Sequence, residues 1–561
     1  MRRRMLACVL AACLGSPVAP ALADDAAPVP ATFTVSGSGF GHAVGLSQWG
    51  AYGMAKAGYD AASIVTHYYS GTAVTPVQDD MDARINLLHQ VGSAKVRTEA
   101  LDPSGGAVEV TVGPTVVVGG TTDEFRFEVA DGGVHAVRRA GGQTADLGTA
   151  PMVTIRWAGT RTPGQAAGGP TLLDVAGPST SLDSSGHRYR YGQVEISPVS
   201  TSDGVRLNVV NLVRIHDEYL YGISEVSSSW PDAAQQAQVL AARTYALSKV
   251  ARGVRQSCGC HMDDGGGPYY DQTFTGWAKA SAAKGDRWVA NVNATIASET
   301  TGLAILYNGQ PISAFYSASS GGATQSSADV WGGSLPYAVS VPDPWALDPD
   351  NPVRSWSVGV SQAAMARIFG LPQVQRVDVT ERYASGAAKG LTATAPDGAT
   401  AVRSIRQFRS AVTTKSSFLT GITTDGSVVP PTAPAPTPAP TPAPVDPAAT
   451  PPAAPAPVDS GVRARTVSLL TPTSVTAVTG RPWKVVGVVR PAKGRLKALR
   501  QRSVDGQWTT VEKDRTSAKG RYRFVHRAAT PKDAGTYRVL VVRKGAVVGV
   551  SPEFTVAVGP A

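Results

Sequence analysis

Cysteine is nearly absent. The 561 residues hold four, and Cys8 and Cys13 fall in an N-terminal stretch that reads as a removable export signal. Cys258 and Cys260 are left for a mature chain of more than 500 residues. That excludes a disulfide-stapled scaffold, so the domains must be held by ordinary hydrophobic cores. Long apolar runs are missing as well. Residues 5–14 are apolar but too few to cross a bilayer, and no later stretch suits a membrane helix. Acidic residues are scarce at one end. From 461 to 561 there are 20 Lys and Arg against 5 Asp and Glu, a balance of +15, whereas the whole chain carries +10. The remainder is therefore slightly acidic. A basic tail points to a polyanion. In an exported chain this is wall teichoic acid or anionic lipid as readily as nucleic acid, and an anionic wall polymer is the expectation, with no nucleic-acid partner.

The export reading rests on Arg2, Arg3 and Arg4, the short apolar run, and Ala21-Leu22-Ala23 as an A-x-A cleavage site. The signal would cover 1–23 and the mature chain would start at Asp24. Leu10-Ala11-Ala12-Cys13 is the rival, a lipoprotein box with Cys13 lipidated. Either way the protein works outside the cytoplasm, secreted or bound to the wall.

A chain of this length exceeds one ordinary core, so two or three domains are expected. Residues 430–457 are dominated by Ala-Pro and Thr-Pro repeats. Such a stretch favours an extended polyproline II rod of about 3 Å per residue. It gives a linker over 426–460 between a large domain, 31–425, and a small one, 461–561. The small domain reads as an all-β sandwich, from short β-rich runs such as Trp483-Lys484-Val485-Val486 and Tyr537-Arg538-Val539-Leu540. Asp533-Ala534-Gly535-Thr536-Tyr537 resembles the turn into a late strand of immunoglobulin-like domains. Arg495, Lys497, Arg500 and Arg502 form a dense basic cluster, and alternation along a strand would put several on one face. The large domain reads as α+β. Many short strands lie within 81–215. A helix over 233–250 has Pro231 in its first turn, Ser229 as a cap, and Val239, Ala242, Ala246 and Val250 on its core face.

Three segments carry chemistry-bearing residues in a distinctive arrangement. One is Tyr219-Leu220-Tyr221-Gly222-Ile223-Ser224-Glu225, then Ser229-Trp230-Pro231, then Ala241-Ala242-Arg243-Thr244-Tyr245-Ala246. The second is Ala314-Phe315-Tyr316-Ser317-Ala318-Ser319-Ser320-Gly321-Gly322, followed by Val330-Trp331-Gly332. The third is Gly37-Ser38-Gly39-Phe40-Gly41-His42, continuing to Leu46-Ser47-Gln48-Trp49. Together they resemble the SpoIID/LytB family of stage II sporulation protein D and the amidase enhancer LytB. In most relatives the Gly-His segment closes the domain, and here it opens it, which implies a circular permutation. The interval from Gly222 to Glu225 is also two residues shorter than the common pattern.

The resemblance implies a lytic transglycosylase with Glu225 as its acid and base. Such an enzyme needs one carboxylate where ordinary glycosidases use two, because the substrate's own C6 hydroxyl attacks the anomeric carbon. Burial among Tyr221, Ile223, Val226 and Trp230 would suit a general acid. The bland alternative is a surface Glu that caps a helix. His42 either bonds sugar, peptide or Glu225, or is a satisfied buried histidine holding a turn. Ser47 and Gln48 either bind sugar hydroxyls or cap a helix starting near Trp49. Tyr221, Arg243, Tyr245, Gln272 and the turn Ser319-Ser320-Gly321-Gly322 are expected to line the groove. No base pairs with those serines, and the Gly-x-Ser-x-Gly spacing of a nucleophile elbow is absent. Cys258-Gly259-Cys260-His261 reads as a tight disulfide, as a weak zinc site of Cys258, Cys260 and His261, or as inert thiols; no cofactor is expected unless zinc binds there. The expected partners are peptidoglycan glycan strands, with a wall amidase or anionic wall polymer besides. The rival functions are a non-catalytic amidase enhancer and a surface adhesion protein.

Overall fold

The computed structural model describes residues 29–182, 187–424, 426 and 428–429, and most of 466–559 apart from short breaks. The export signal, the Pro-rich linker and Arg495 lie outside the described residues. The chain divides into two compact units, 1–437 and 438–561.

The first unit is mixed α and β, with several sheets and eight α-helices among the described residues. These are α1 (Gln48–Lys56), α2 (Ala61–Tyr68), α3 (Asp232–Val250), α4 (Trp277–Ser281), α5 (Gly285–Asn293), α6 (Ser327–Trp331), α7 (Gln362–Phe369) and α8 (Ile405–Val412). Two sheets dominate, of six and seven strands, antiparallel except where the short edge strand Met262–Asp263 runs parallel to Asp82–Val91. Their strands alternate because one face of each is covered. In Glu124–Ala130, for example, Phe125 and Phe127 point inward while Glu124 and Arg126 stay half-exposed. Phe125, Phe127, Val134 and Leu173 of the six-stranded sheet share one core with Ile85, Val110, Ile155 and Val209 of the seven-stranded sheet.

Helix α3 joins the same core and is buried almost all round. Its alanines let α1, α2 and α5 pack against it. Pro231 sits at the capping position itself, not in the first turn, and Ser229 does not cap: its hydroxyl pairs with Ser227. Gln235 closes the turn instead, donating to the carbonyls of Ser228 and Trp230.

A second core in this unit gathers Phe33, Val35, Met365, Phe369, Leu391 and Phe408. Strand Thr32–Gly37 lies between Trp356–Ser361 and Leu419–Thr424, antiparallel to both. The first and last described strands of the unit, Val29–Pro30 and Val428–Val429, also pair, so its ends are neighbours, as a circular permutation would need.

In the second unit, strands from two sheets share one core of Trp483, Val485, Tyr522, Phe524, Tyr537, Val539 and Phe554. The Tyr537 hydroxyl donates to the Asp533 carbonyl at 2.8 Å. Among the described residues the expected basic cluster is split between two faces. Lys497 is exposed, but Arg500 is buried against Trp483 and Tyr537 and paired with Glu512. Arg502 donates to the Ala534 carbonyl. Alternation along Lys497–Val504 sends Arg500 inward with Ala498, so among the described residues the exposed basic charge falls on Lys497, Lys484, Lys513, Arg515, Arg521 and Arg523.

Candidate functional site

The segment after the strand Gly204–Arg214 turns through Ile215–Tyr219 and delivers Glu225 just before α3. Glu225 is half-buried. Its carboxylate accepts the Thr273 N–H at 2.7 Å and lies within hydrogen-bonding reach of the Tyr316 hydroxyl. Its carbonyl accepts from the Gln48 side chain at 3.4 Å, and Gln48 also donates to Gln238 at 3.2 Å. A buried line leads to the carboxylate: Tyr219 donates to Gln272 at 2.9 Å, Gln272 donates to Tyr316 at 2.9 Å, and Tyr316 faces Glu225. Burial, and then the Glu225 charge, hold the Tyr316 hydroxyl far above the usual phenol range, so it stays a donor. The apolar shell expected around Glu225 is replaced by donors. Tyr221 turns away and bonds Asn293, and Trp230 packs against Trp49 and Tyr52 at 4.8 and 5.2 Å.

The Gly-His loop reaches this place through backbone contact. Gly45 has φ +72°, and a Cβ there would stand 2.1 Å from the Phe315 carbonyl. Only glycine lets Leu46–Ser47 run beside Tyr316–Ser317, with which it pairs in parallel. His42 accepts the Val44 N–H on Nδ1 at 2.9 Å and donates from its other nitrogen to the Tyr316 carbonyl. Burial, with Arg409 adding, lowers its pKa to about 4. His42 is therefore neutral, with both nitrogens occupied: it positions Tyr316 and does not reach Glu225.

Several residues expected to line the groove are structural. Arg243 is fully buried and paired with Asp79 at 2.8 Å. Tyr245 is buried and donates to Asp271, which also binds Lys249 and Arg255. Ser47 caps α1 through the Gly50 N–H and also accepts the Ser320 N–H. Ser319 accepts from Asn351, and Ser320 donates to Asp343 at 2.6 Å. Gly321 packs on the Gly39 turn, where a Cβ on Gly39 would meet the Gly321 nitrogen at 2.7 Å, and Gly322 continues that turn. Each is spent on folding because a buried polar group needs a partner. Cys258 and Cys260 are joined in a disulfide, and the His261 ring accepts the Arg84 N–H. A metal has no thiolate pair to bind there.

Reading the sequence missed Tyr316 and Thr273. Tyr316 stands inside the second motif, so a signal existed. Thr273 contributes only its N–H, which no side-chain pattern reveals.

Residues 203–307 match the Stage II sporulation protein family, SpoIID. The likeness to the SpoIID/LytB family rests on this region. An amidase enhancer of Bacillus subtilis (strain 168) is 30% identical over 139 residues, 25% of this chain and 16% of that protein. A stage II sporulation protein D of the same strain is 30% identical over 140 residues, 23% of this chain and 38% of that protein. One from Bacillus amyloliquefaciens is 48% identical over 44 residues, 8% of this chain and 13% of that protein. The chain thus spans well under half the length of the curated relatives it matches. Glu225, Arg243, Tyr245 and Gln272 fall inside the SpoIID segment, whereas His42 and Tyr316 come from outside it.

Asp264 lies within the same segment, with its carbonyl bonded to the Phe274 N–H. Burial, partly offset by the Gly266 N–H and reinforced by Asp263, raises its pKa from 3.8 to about 6. The neutral acid suits the fold, so its contribution to stability is full below pH 3.8 and is lost as pH rises through 6. Asp264→Asn should stabilise the protein by about 2 kcal/mol at pH 7.5 and by nothing at pH 3.5. Urea midpoints at the two pH values check this, and a variant that is less stable at pH 7.5 would contradict it.

Proposed function

We propose that the large unit is a lytic transglycosylase acting outside the cytoplasm on peptidoglycan glycan strands, with Glu225 as its single acid and base. The observation that carries this reading is one carboxylate fixed in place by the Thr273 N–H and the Tyr316 hydroxyl, which favour its ionised, proton-accepting form and are fed by Gln272 and Tyr219. Two nearby carboxylates are committed elsewhere. Asp263 accepts the N–H groups of Gly265, Tyr269, Tyr270 and Asp271, and Asp271 holds Lys249, Arg255 and Tyr245. In the reaction, protonated Glu225 gives its proton to the glycosidic oxygen as the bond to C1 breaks. The substrate's C6 hydroxyl then bonds to C1 and returns its proton to Glu225. Half-exposed Trp49, Tyr52 and Trp230 stand beside Gln48 and offer rings for the apolar face of a sugar. Digestion of purified glycan strands should yield 1,6-anhydro ends. Intact strands after prolonged incubation would reject the activity.

A second reading, a wall-binding partner that stimulates an amidase, is favoured by the short interval from Gly222 to Glu225 and by the relative named an amidase enhancer. It predicts intact glycan strands and faster stem-peptide release when a wall amidase is added.

The second unit, an immunoglobulin-like sandwich in this reading, would hold the protein to anionic wall polymer through Lys484, Lys513, Arg515, Arg521 and Arg523, all exposed. Exposed charges are screened over about 8 Å at physiological ionic strength. The full chain should therefore pellet with teichoic-acid-bearing walls at low salt and be released at high salt, while a chain ending at residue 437 stays in solution. Equal retention of both chains at every salt concentration would exclude this role.

A further inference from the structure

Between α6 and α8 lies a groove of about 390 Å³ that Glu225 does not border. Its wall carries a run of hydroxyls and two cations. Ser410, Thr413, Thr414 and Ser417 face it beside Arg409. Arg409 is half-buried, and burial alone lowers its pKa. Among the described residues no carboxylate pairs with it. Its guanidinium makes two long bonds, each 3.3 Å, to the Ser417 hydroxyl and the Lys415 carbonyl. Donors of that planar fork remain unused, and a desolvated guanidinium without an anion is costly unless one arrives. Arg406 adds a second positive charge, and Asp329 supplies the one negative charge on the wall.

We propose that this groove is a binding site for a carboxylate-bearing ligand, with the carboxylate seated on the Arg409 guanidinium and its neighbours bonded to the surrounding hydroxyls. A planar carboxylate matches the guanidinium fork, and the hydroxyls can serve as donors or acceptors to the rest of a sugar or a short peptide. The volume suits one such unit. The proposal does not rest on the chemistry assigned to Glu225. The groove adjoins the Gly-His loop, since Gln325 on its wall donates to the His42 carbonyl at 3.3 Å. A ligand here would therefore contact a unit neighbouring whatever is bound near Tyr316.

Two sources can present the carboxylate, a sugar acid or a peptide terminus. The test is calorimetry on the full chain at matched ionic strength with four probes: N-acetylmuramic acid, N-acetylglucosamine, alanyl-alanine and alanyl-alanine amide. At least one carboxylate probe should bind tenfold or more tightly than its neutral counterpart, and which one does so identifies the source. Arg409→Gln should remove that preference. Ser410→Glu should remove it too, by placing a competing carboxylate at an exposed position on the wall. This second variant disturbs no buried side chain, so it decides the matter if Arg409→Gln fails to fold. The proposal is overturned if neither carboxylate binds, if the neutral probes bind equally well, or if Ser410→Glu retains the wild-type preference.

Discussion

Glu225→Gln is expected to slow the release of anhydro-muropeptides on the order of 100- to 10,000-fold while glycan binding persists. The amide keeps the length and shape of the side chain. Its oxygen can still accept the Thr273 N–H and the Tyr316 hydroxyl that hold the carboxylate now. The Gln48 bond goes to the backbone carbonyl and is untouched. Only the capacity to give and take a proton is lost. Tyr316→Phe separates positioning from proton transfer, because it removes one donor and leaves the carboxylate. A hydrogen bond to a charged group contributes about 1.5–3 kcal/mol, so its loss should slow the rate roughly 10- to 100-fold. Product formation measured by chromatography and mass spectrometry orders the three proteins. If Glu225→Gln works at the wild-type rate, the single-carboxylate mechanism fails and the enhancer reading takes its place.

The coarse fold was readable because periodicity and composition act locally. The expected helix over 233–250 is α3, Asp232–Val250, and the short strands expected within 81–215 include Val108–Val112 and Gly204–Arg214. The meeting of distant segments was readable only through resemblance. Gln48 and Glu225 touch across 177 positions, and nothing local predicts that contact. Roles inside the motifs were harder to read. Arg243, Tyr245, Ser319 and Ser320 are polar residues in a recognisable pattern, and that pattern fits a groove as well as a buried network. What decides between the two is the partner, and the partners are remote: Asp79 for Arg243, Asn351 for Ser319 and Asp343 for Ser320. Arg500 shows the same limit. Its charge suggested a surface, but strand alternation placed it over Trp483.

Asp79→Asn should destabilise the first unit by about 3–5 kcal/mol, the cost of leaving a buried charge without its counter-ion. Asp79 is fully buried and divides its carboxylate between His216 at 2.6 Å and Arg243 at 2.8 Å. Arg243 is equally buried, and its remaining donors reach Thr295 at 2.8 Å, the Leu303 carbonyl at 3.1 Å and the His216 carbonyl at 3.1 Å. Burial lowers the Arg243 pKa to about 10 and the Asp79 charge opposes that fall, so the pair is what keeps the guanidinium tolerable inside. Gly302 shows how closely the pair is enclosed: a Cβ there would lie 2.3 Å from the carboxylate and 2.5 Å from the guanidinium. The network ties α3 to the loop before the seven-stranded sheet and to the strand Thr301–Tyr307, and its loss loosens the element that carries Glu225 into place. Removing both charges with Asp79→Leu and Arg243→Met together should cost much less than the sum of the single changes, since apolar groups of similar size often replace a buried pair at little cost. Urea unfolding of the two single variants and the double variant measures the coupling. If Arg243 bound substrate instead, Arg243→Met would weaken glycan binding and leave the unfolding midpoint where it was, and that outcome would return Arg243 to the groove.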